Sequence, residues 1–443
     1  MVGKLIALLL FSALSCSAAT RYVATDGSAT SPYDTWAKAA TSLVVAVAGS
    51  QDGDIILCTN GLYSGPTVVC HTQITIRSVN GPSVTTISNA ATYLELYNVS
   101  LDGLTITGAA GEYPAMYYSG VGVISNCIIR NNAGTYGPTL IFTSTSRWLN
   151  CSFQNNSCSA ASGGAALNGN HSSKPLIYID SCVFSNNTAA QMGGALSLSG
   201  LVFVDRSSFL NNRANNGAAI TAVSGATGLY ISNSVFAYNV PAVDDVVRAV
   251  DEAQLPSTIL YNCIVYGNQG DYTILYHVTA RNCTIVGNWQ NFANASPLLD
   301  SDGENNISYY NTPKDLSYGG FTNSCFRVSG TSTTTNNCIT NAPAFVDDYA
   351  TSLATPSAAN CGTNFTLLAS GLDGLRLQST SPCINTGTNS PWMVGAYDFD
   401  GTNSRIQSSI VDMGSFEYVA GAAPSFLDDT AAEAMQIWWR AIR

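Results

Sequence analysis

Charge is scarce in this chain: Asp, Glu, Lys and Arg make up 10% of its 443 residues, lysine occurs only at positions 4, 38, 174 and 314, and the formal net charge is -11. An acidic, lysine-poor surface repels both a nucleic-acid backbone and an anionic membrane, so neither is expected as a partner. Long hydrophobic runs are also missing. The longest, from Leu5 to Leu14, is about half the ~20 residues a spanning helix needs, and no transmembrane segment is expected. Apolar residues at three-and-four spacing do not extend over ten positions anywhere before the C-terminal tail, which excludes an α-solenoid. No Cys-x-x-Cys pair occurs, and His71, His171 and His277 lie far apart, so a zinc or other His/Cys metal centre is not expected.

What is present points to export and to β-structure. Lys4, the apolar run behind it and the small residues Ser15 to Ala19 have the form of a secretory signal, with a mature protein starting near Thr20. Lipidation at Cys16 would ordinarily want a large aliphatic residue three positions earlier, where Ala13 stands. A secreted or cell-surface location is expected. With 46% hydrophobic residues and few charges, a large core is available without the salt-bridged faces of helices.

A repeat runs through the middle of the chain. Seven segments align, beginning at Asn126, Asn150, Ser181, Arg206, Asn233, Asn262 and Asn282. Their second position is Cys127, Cys151, Cys182, Ser207, Ser234, Cys263 and Cys283, always small. The fourth is Ile129, Phe153, Phe184, Phe209, Phe236, Val265 and Ile285, always large and apolar. The position between them holds β-branched residues or Ser, a period of two that reads as a short strand with that position facing outward. The seventh position is Asn every time: Asn132, Asn156, Asn187, Asn212, Asn239, Asn268 and Asn288. Asn accepts a left-handed turn, and its amide can bond its equivalents above and below in a stack of coils.

From Asn132 to Asn288 the six steps average 26 residues, enough for three short strands and three turns, and little more than half of a propeller blade at ~40 to 45 residues. The expected fold is therefore all-β: a single-stranded, right-handed parallel β-helix of roughly 10 to 13 coils, the hand following from the general rule for parallel crossovers. Its expected parts are a signal peptide (1-19), an N-terminal cap with the first strand (20-66), the repeats (67-345), the C-terminal end of the β-helix (346-421) and a tail (422-443). An amphipathic pattern over Trp36 to Gly49 predicts a capping helix, since an open solenoid end exposes unpaired backbone groups. The tail reads as a short helix packed on the far end or as a sorting segment. A monomer is expected.

The motif Phe-x-x-Asn, four times over (Phe153 to Asn156, Phe184 to Asn187, Phe209 to Asn212, Phe236 to Asn239), alternates with Gly163-Gly164-Ala165, Gly193-Gly194-Ala195 and Gly217-Ala218-Ala219. These segments resemble the repeat of chlamydial polymorphic outer-membrane proteins, within the wider pectin-lyase-like group of β-helices. The ends of the chain resemble predicted exported bacterial β-helix proteins, through Gly53-Asp54-Ile55-Ile56-Leu57 and Gly61-Leu62-Tyr63 and, at the other end, Leu377 to Gly387, Asp398-Phe399-Asp400-Gly401, Arg405 and Asp412 to Glu417. The resemblance implies the fold and export. It does not imply one activity, because the superfamily includes lyases, hydrolases and adhesins.

Candidate chemistry is sparse. Asp180 and Asp205 fall on successive coils with Arg206 beside the second, a group that could hold calcium or serve acid-base chemistry, or simply be exterior polar residues. Asp398 and Asp400 in Asp-x-Asp-Gly-x-Asn resemble a calcium loop, but the glycine comes early and the distal Glu is absent, so a structural turn is the alternative. Asp244, Asp245 and Arg248 form a charged insertion. The motif set of polygalacturonase-type hydrolases is incomplete here, with Asp244-Asp245 an isolated match and no His-Gly. Cysteine pairs Cys58 with Cys70, Cys325 with Cys338 and Cys361 with Cys383 are candidate disulfides; the repeat cysteines, which share a column with serine, are expected to be free thiols. Two functions follow: an adhesin-like solenoid binding an extracellular polysaccharide or a cell-surface component, or a calcium-dependent lyase on an acidic polysaccharide.

Overall fold

The computed structural model describes residues 18-88, 93-159, 163-169, 174-249, 258-299, 301-316, 319-327, 333-347, 357, 361, 371-401, 403-407 and 409-420. Residues 1-17 of the expected signal peptide, and the expected tail, lie outside these residues.

Every pairing between named strands is parallel, and the strands form stacks along one axis. One stack holds twenty strands, a second twelve and a third six, the last continued by a separate pair. The chain is thus an all-β parallel solenoid. The fourth repeat position is in register from coil to coil: Ile129 on Phe153, Phe153 on Phe184, Phe184 on Phe209, Phe209 on Phe236 and Phe236 on Val265. The four Phe rings stack face to face with centroids 4.9, 4.9 and 4.8 Å apart, which is the strand spacing of a sheet. A second interior row, Ile124, Trp148, Ile179, Val204, Ile231 and Leu260, lines the twenty-stranded stack. All of these side chains are buried, and together they form one continuous core.

The seventh-position asparagines form a buried amide ladder. Each Nδ2 donates to the Oδ1 of the next coil at 3.0 to 3.1 Å, from Asn132 through Asn288. Each Nδ2 also donates to a backbone carbonyl of the preceding coil, as Asn187 does to Phe153 at 3.0 Å, and each backbone N-H donates to the next Oδ1. Turn geometry does not explain the column, contrary to expectation. The left-handed residues are those just before it, Asn131, Asn155, Asn186, Asn211 and Tyr238, and those at the first repeat position, including Arg206. Asn is invariant at the seventh position because four buried polar groups per coil need one side chain that both donates and accepts.

The N-terminal helix expected over Trp36 to Gly49 is present only in pieces: a 3-10 turn, Trp36–Lys38, and one short helix, Leu43–Ala48. The short helix buries Leu43, Ala46 and Val47 in the core against the strands Val68–Cys70 and Thr20–Val23. The three candidate disulfides do not form. All twelve described cysteines are free, and Cys338 alone among them is not buried. The column cysteines behave as expected: Cys182 N-H donates to Ser207 Oγ at 3.1 Å, so thiol and hydroxyl occupy equivalent sites.

Residues 371-420 add no strand to the stacks and lie along the outside of the twelve-stranded one. This alters the fate of the outward repeat position. Ile128, Ser152 and Val183 are half-buried, whereas Ser208, Val235, Ile264 and Thr284 are fully buried. Val235 and Ile264 belong to a second core with Leu375, Cys383, Phe399, Met413 and Phe416.

Candidate functional site

Where the C-terminal segment meets the corner between the twenty- and twelve-stranded stacks, it leaves a cleft of about 530 Å³, within the range of small-molecule sites. The corner itself arises because the first repeat position turns through a left-handed residue. This aims the side chains of Arg206, Asn233 and Asn262 outward along one edge, one per coil. Tyr261 and Ser232 come from the strand ends just before, and Trp392, Tyr397, Asp398 and Asp400 from the C-terminal segment.

The walls are largely aromatic. Tyr261 and Trp392 meet at 4.8 Å between centroids, and the Arg281 guanidinium lies over the Tyr261 ring at 5.7 Å. Asn262 joins the two halves of the wall by donating from Nδ2 to the Tyr397 carbonyl at 2.9 Å. Its Oδ1 and the Trp392 Nε1 are buried without a hydrogen-bond partner. Tyr397 is exposed at the rim.

The sequence candidates are thus brought together, since Arg206 lines the same cleft as Asp398 and Asp400. Their chemistry is already spent. Arg206 Nη2 lies 2.5 Å from Asp180 Oδ2 and its Nη1 lies 2.7 Å from Asp205 Oδ2. Asp205 Oδ1 also accepts from Ser232 Oγ at 2.7 Å and from Asn233 Nδ2 at 2.8 Å. An earlier coil shows the same arrangement, with Asp102 held by Arg77, Ser125 and Asn126. Asp180, Asp205 and Arg206 thus bond one another and their neighbours on the outer edge of the coils.

Asp398 and Asp400 sit in a tight turn closed by the Asp398 N-H to Asn403 carbonyl bond at 2.8 Å. Asp398 accepts from the Asn403 and Glu417 backbone amides at 3.1 and 3.2 Å, and Asp400 is paired with Arg376. Burial, together with the neighbouring Asp400 carboxylate, raises the Asp398 pKa. Calcium takes six to eight oxygen ligands. In this turn the two carboxylates are met by backbone N-H donors and by the Arg376 guanidinium. Among the described residues no group of three or more His, Cys, Asp or Glu side chains converges on a point. Asp245 is likewise structural, accepting from the Gly217 amide at 2.9 Å beside Arg248, with burial pushing its carboxyl up to about 7.

Sequence reasoning missed the aromatic walls, because Tyr261 is the one aromatic residue in the otherwise mostly polar column of Asp180, Asp205, Ser232 and Arg281, and Trp392 and Tyr397 lie outside the repeats. It noted Arg405 and Glu417 only as part of a terminal signature. They form a fully buried ion pair at 3.2 Å, and Arg405 also donates to the Asp412 and Gly414 carbonyls. Nothing in local sequence separates such a pair from surface charges.

The repeat model described as Chlamydia polymorphic membrane protein (Chlamydia_PMP) repeat matches residues 181–199, the stretch holding Phe184, Asn187 and Gly193-Gly194-Ala195. No curated protein matches. Among solved structures the chain is similar to the pectate lyase Pel9A, at 15% identity over 91% of this chain and 97% of that one, with a TM-score of 0.41. It is also similar to a rhamnogalacturonan lyase, at 12% identity over 74% and 90% with a TM-score of 0.45. A third is the PL6 family alginate lyase AlyGC, at 13% identity over 62% and 49% with a TM-score of 0.40. At these levels the likeness says nothing about substrate or chemistry.

Proposed function

We propose that the protein is an exported or cell-surface β-solenoid that binds neutral, hydroxyl-rich glycans without turning them over, and that the cleft beside Trp392 is its binding site. The observation that carries this reading is the composition of the cleft wall. Tyr261, Trp392 and Tyr397 offer apolar faces to the C-H face of a sugar ring, beside a polar edge formed by Asn233 and Asn262. A buried polar atom without a partner costs about 1 to 3 kcal/mol. The Trp392 Nε1 donor and the Asn262 Oδ1 acceptor are two such atoms in this wall, and a hydroxyl pairs with either once the wall opens to admit it.

Charge favours a neutral ligand over an acidic one. Arg206 is flanked by two carboxylates, so the group it belongs to carries a net negative charge and does not neutralise a uronate. The same pairing removes Arg206 as a base for a lyase reaction, which needs a cation-bridged carboxylate and a free proton acceptor. No described helix is long and apolar enough to cross a membrane. That is compatible with release or with attachment at a surface.

The test is a glycan array followed by titration with Trp fluorescence as the signal. Binding of neutral glycans that weakens roughly tenfold or more in Trp392→Ala supports the reading. New absorbance at 235 nm on incubation with uronate polysaccharides and calcium, abolished by Arg206→Ala, would replace it with a lyase.

A further inference from the structure

A second corner, the one that follows the six-stranded stack, has its own pattern. Strands there pair in parallel from 110-111 through 240-241, and 269-270 pairs with 289-290 beyond them. The residue two places after each strand therefore recurs at one corner, once per coil. At the N-terminal end these residues are Tyr113 and Tyr136, 55% and 47% exposed, with Tyr93 stacked on Tyr113 at 5.2 Å. At the C-terminal end they are Tyr272 and Phe292, 49% and 42% exposed, stacked at 4.3 Å with their planes 14° apart. Between the two pads stand the amides Gln191 and Asn216, followed by Val243, 47% exposed, on the coil before Tyr272. From Tyr136 to Tyr272 is five coils, or ~24 Å along the axis at the usual strand spacing.

We infer that this corner is a track for a linear neutral polysaccharide lying along the solenoid axis, stacking on both aromatic pads and bonding to the amides between them. Exposed ring pairs separated by amides suit a polymer that presents an apolar ring face and a hydroxyl edge at every unit. A protein partner would want one contiguous apolar centre, and this corner divides its apolar area between two ends. The corner loops carry Glu112, Asp244, Asp245 and Asp271; Arg248 pairs with Asp244 and Asp245, and Lys314 reaches Asn294, so the corner keeps a net negative charge, which opposes a polyanion. The track lies at a different corner from the cleft and does not depend on it.

Two pads on one rigid rod make a prediction about length. A chain reaching both gains by effective concentration, whereas a short oligosaccharide occupies one pad at a time. The experiment is affinity electrophoresis of the full chain in gels containing hydroxyethylcellulose, xyloglucan, mixed-linkage β-glucan or galactomannan, with alginate as the anionic control. Its variants are Tyr113→Ala/Tyr136→Ala, Tyr272→Ala/Phe292→Ala and Trp392→Ala. These side chains are surface-exposed at the two pads, so an unchanged melting temperature serves as the folding control. The expected result is retardation by at least one neutral polymer, weakened roughly tenfold by either pad variant. Competition by the matching oligosaccharide should rise sharply once it is long enough to span both pads. Retardation that both pad variants leave intact overturns the track, and if Trp392→Ala abolishes it, binding belongs to the cleft alone. No retardation by any neutral polymer also overturns the track, as does pad-dependent self-association of the protein in its place.

Discussion

Ser415 Oγ lies 2.7 Å from Thr284 Oγ1, although 131 residues separate them in sequence. Thr284 is on the outer face of the twelve-stranded stack, and this contact marks where the returning segment is fastened to the coils. Gly414 N-H to Asn305 carbonyl at 2.7 Å and Asn282 Nδ2 to Asp412 carbonyl at 3.2 Å secure it on either side. One wall of the cleft thus consists of chain that folds back onto the outer face of the coils.

Phe416 is 3% exposed in the second core, with the Arg376 guanidinium 4.6 Å above its ring. Phe416→Ala is expected to cost about 3 to 5 kcal/mol in the docking of the segment, as for other buried aromatic truncations. Limited proteolysis should then cut within 371-420 while the coils stay resistant.

Asn212→Ala should be among the most destabilising single changes. It removes the side-chain acceptor of the Asn187 backbone N-H and the Asn212 amide donor to the Phe184 carbonyl, and it takes one of two partners from Asn187 Nδ2 and from Asn239 Oδ1. At about 1 to 3 kcal/mol for each buried group left unpaired, the loss is comparable to that of a core truncation. Chemical denaturation midpoints, compared with an exposed control such as Asn215→Ala, measure it.

Stability should fall as pH rises from about 4.5 to about 8. Burial pushes the Glu417 carboxyl up to about 8, even with Arg405 beside it, so the folded chain holds a proton that the unfolded chain releases near its ordinary pKa. Below pH ~4 both states are protonated and the group has no effect; above pH ~8 both are ionised and the full penalty is present. Glu417→Gln should flatten the melting temperature across this window. An unchanged pH profile in that variant would assign the dependence to Asp398 and Asp412, whose carboxyls burial also raises.

Cys182→Ser should change stability by less than about 1 kcal/mol, since Ser207 and Ser234 already occupy the same column and make the same backbone contact. Thiol labelling of the native protein should reach Cys338 first among the described cysteines, the others being buried. Mass mapping of the labelled peptides distinguishes this order.

The ladder also shows where reading by column stops. Asn305 to Asn311 repeats the pattern, and Asn288 Nδ2 donates to Asn311 Oδ1 at 3.0 Å, so the column has one more rung than the seven aligned segments. Its second and fourth positions are Asn306 and Ser308 in place of a small residue and a large apolar one. The ladder ends on Asp315, whose carboxylate accepts from the Asn311 backbone amide at 3.0 Å and from the Arg327 amide at 2.9 Å.

Sequence by itself determined the solenoid. Stacking places identical positions in identical surroundings, so the demand for a small residue, a large apolar one and a two-way amide is written once per coil and can be read as columns. Only tertiary structure decided the binding surface. The burial of Ile264 and the meeting of Tyr261 with Trp392 each depend on a segment that returns from more than a hundred residues away, and Arg405 meets Glu417 only as that segment folds back on itself. Such contacts have no period in sequence, and nothing local distinguishes an aromatic residue facing water from one that closes a cleft.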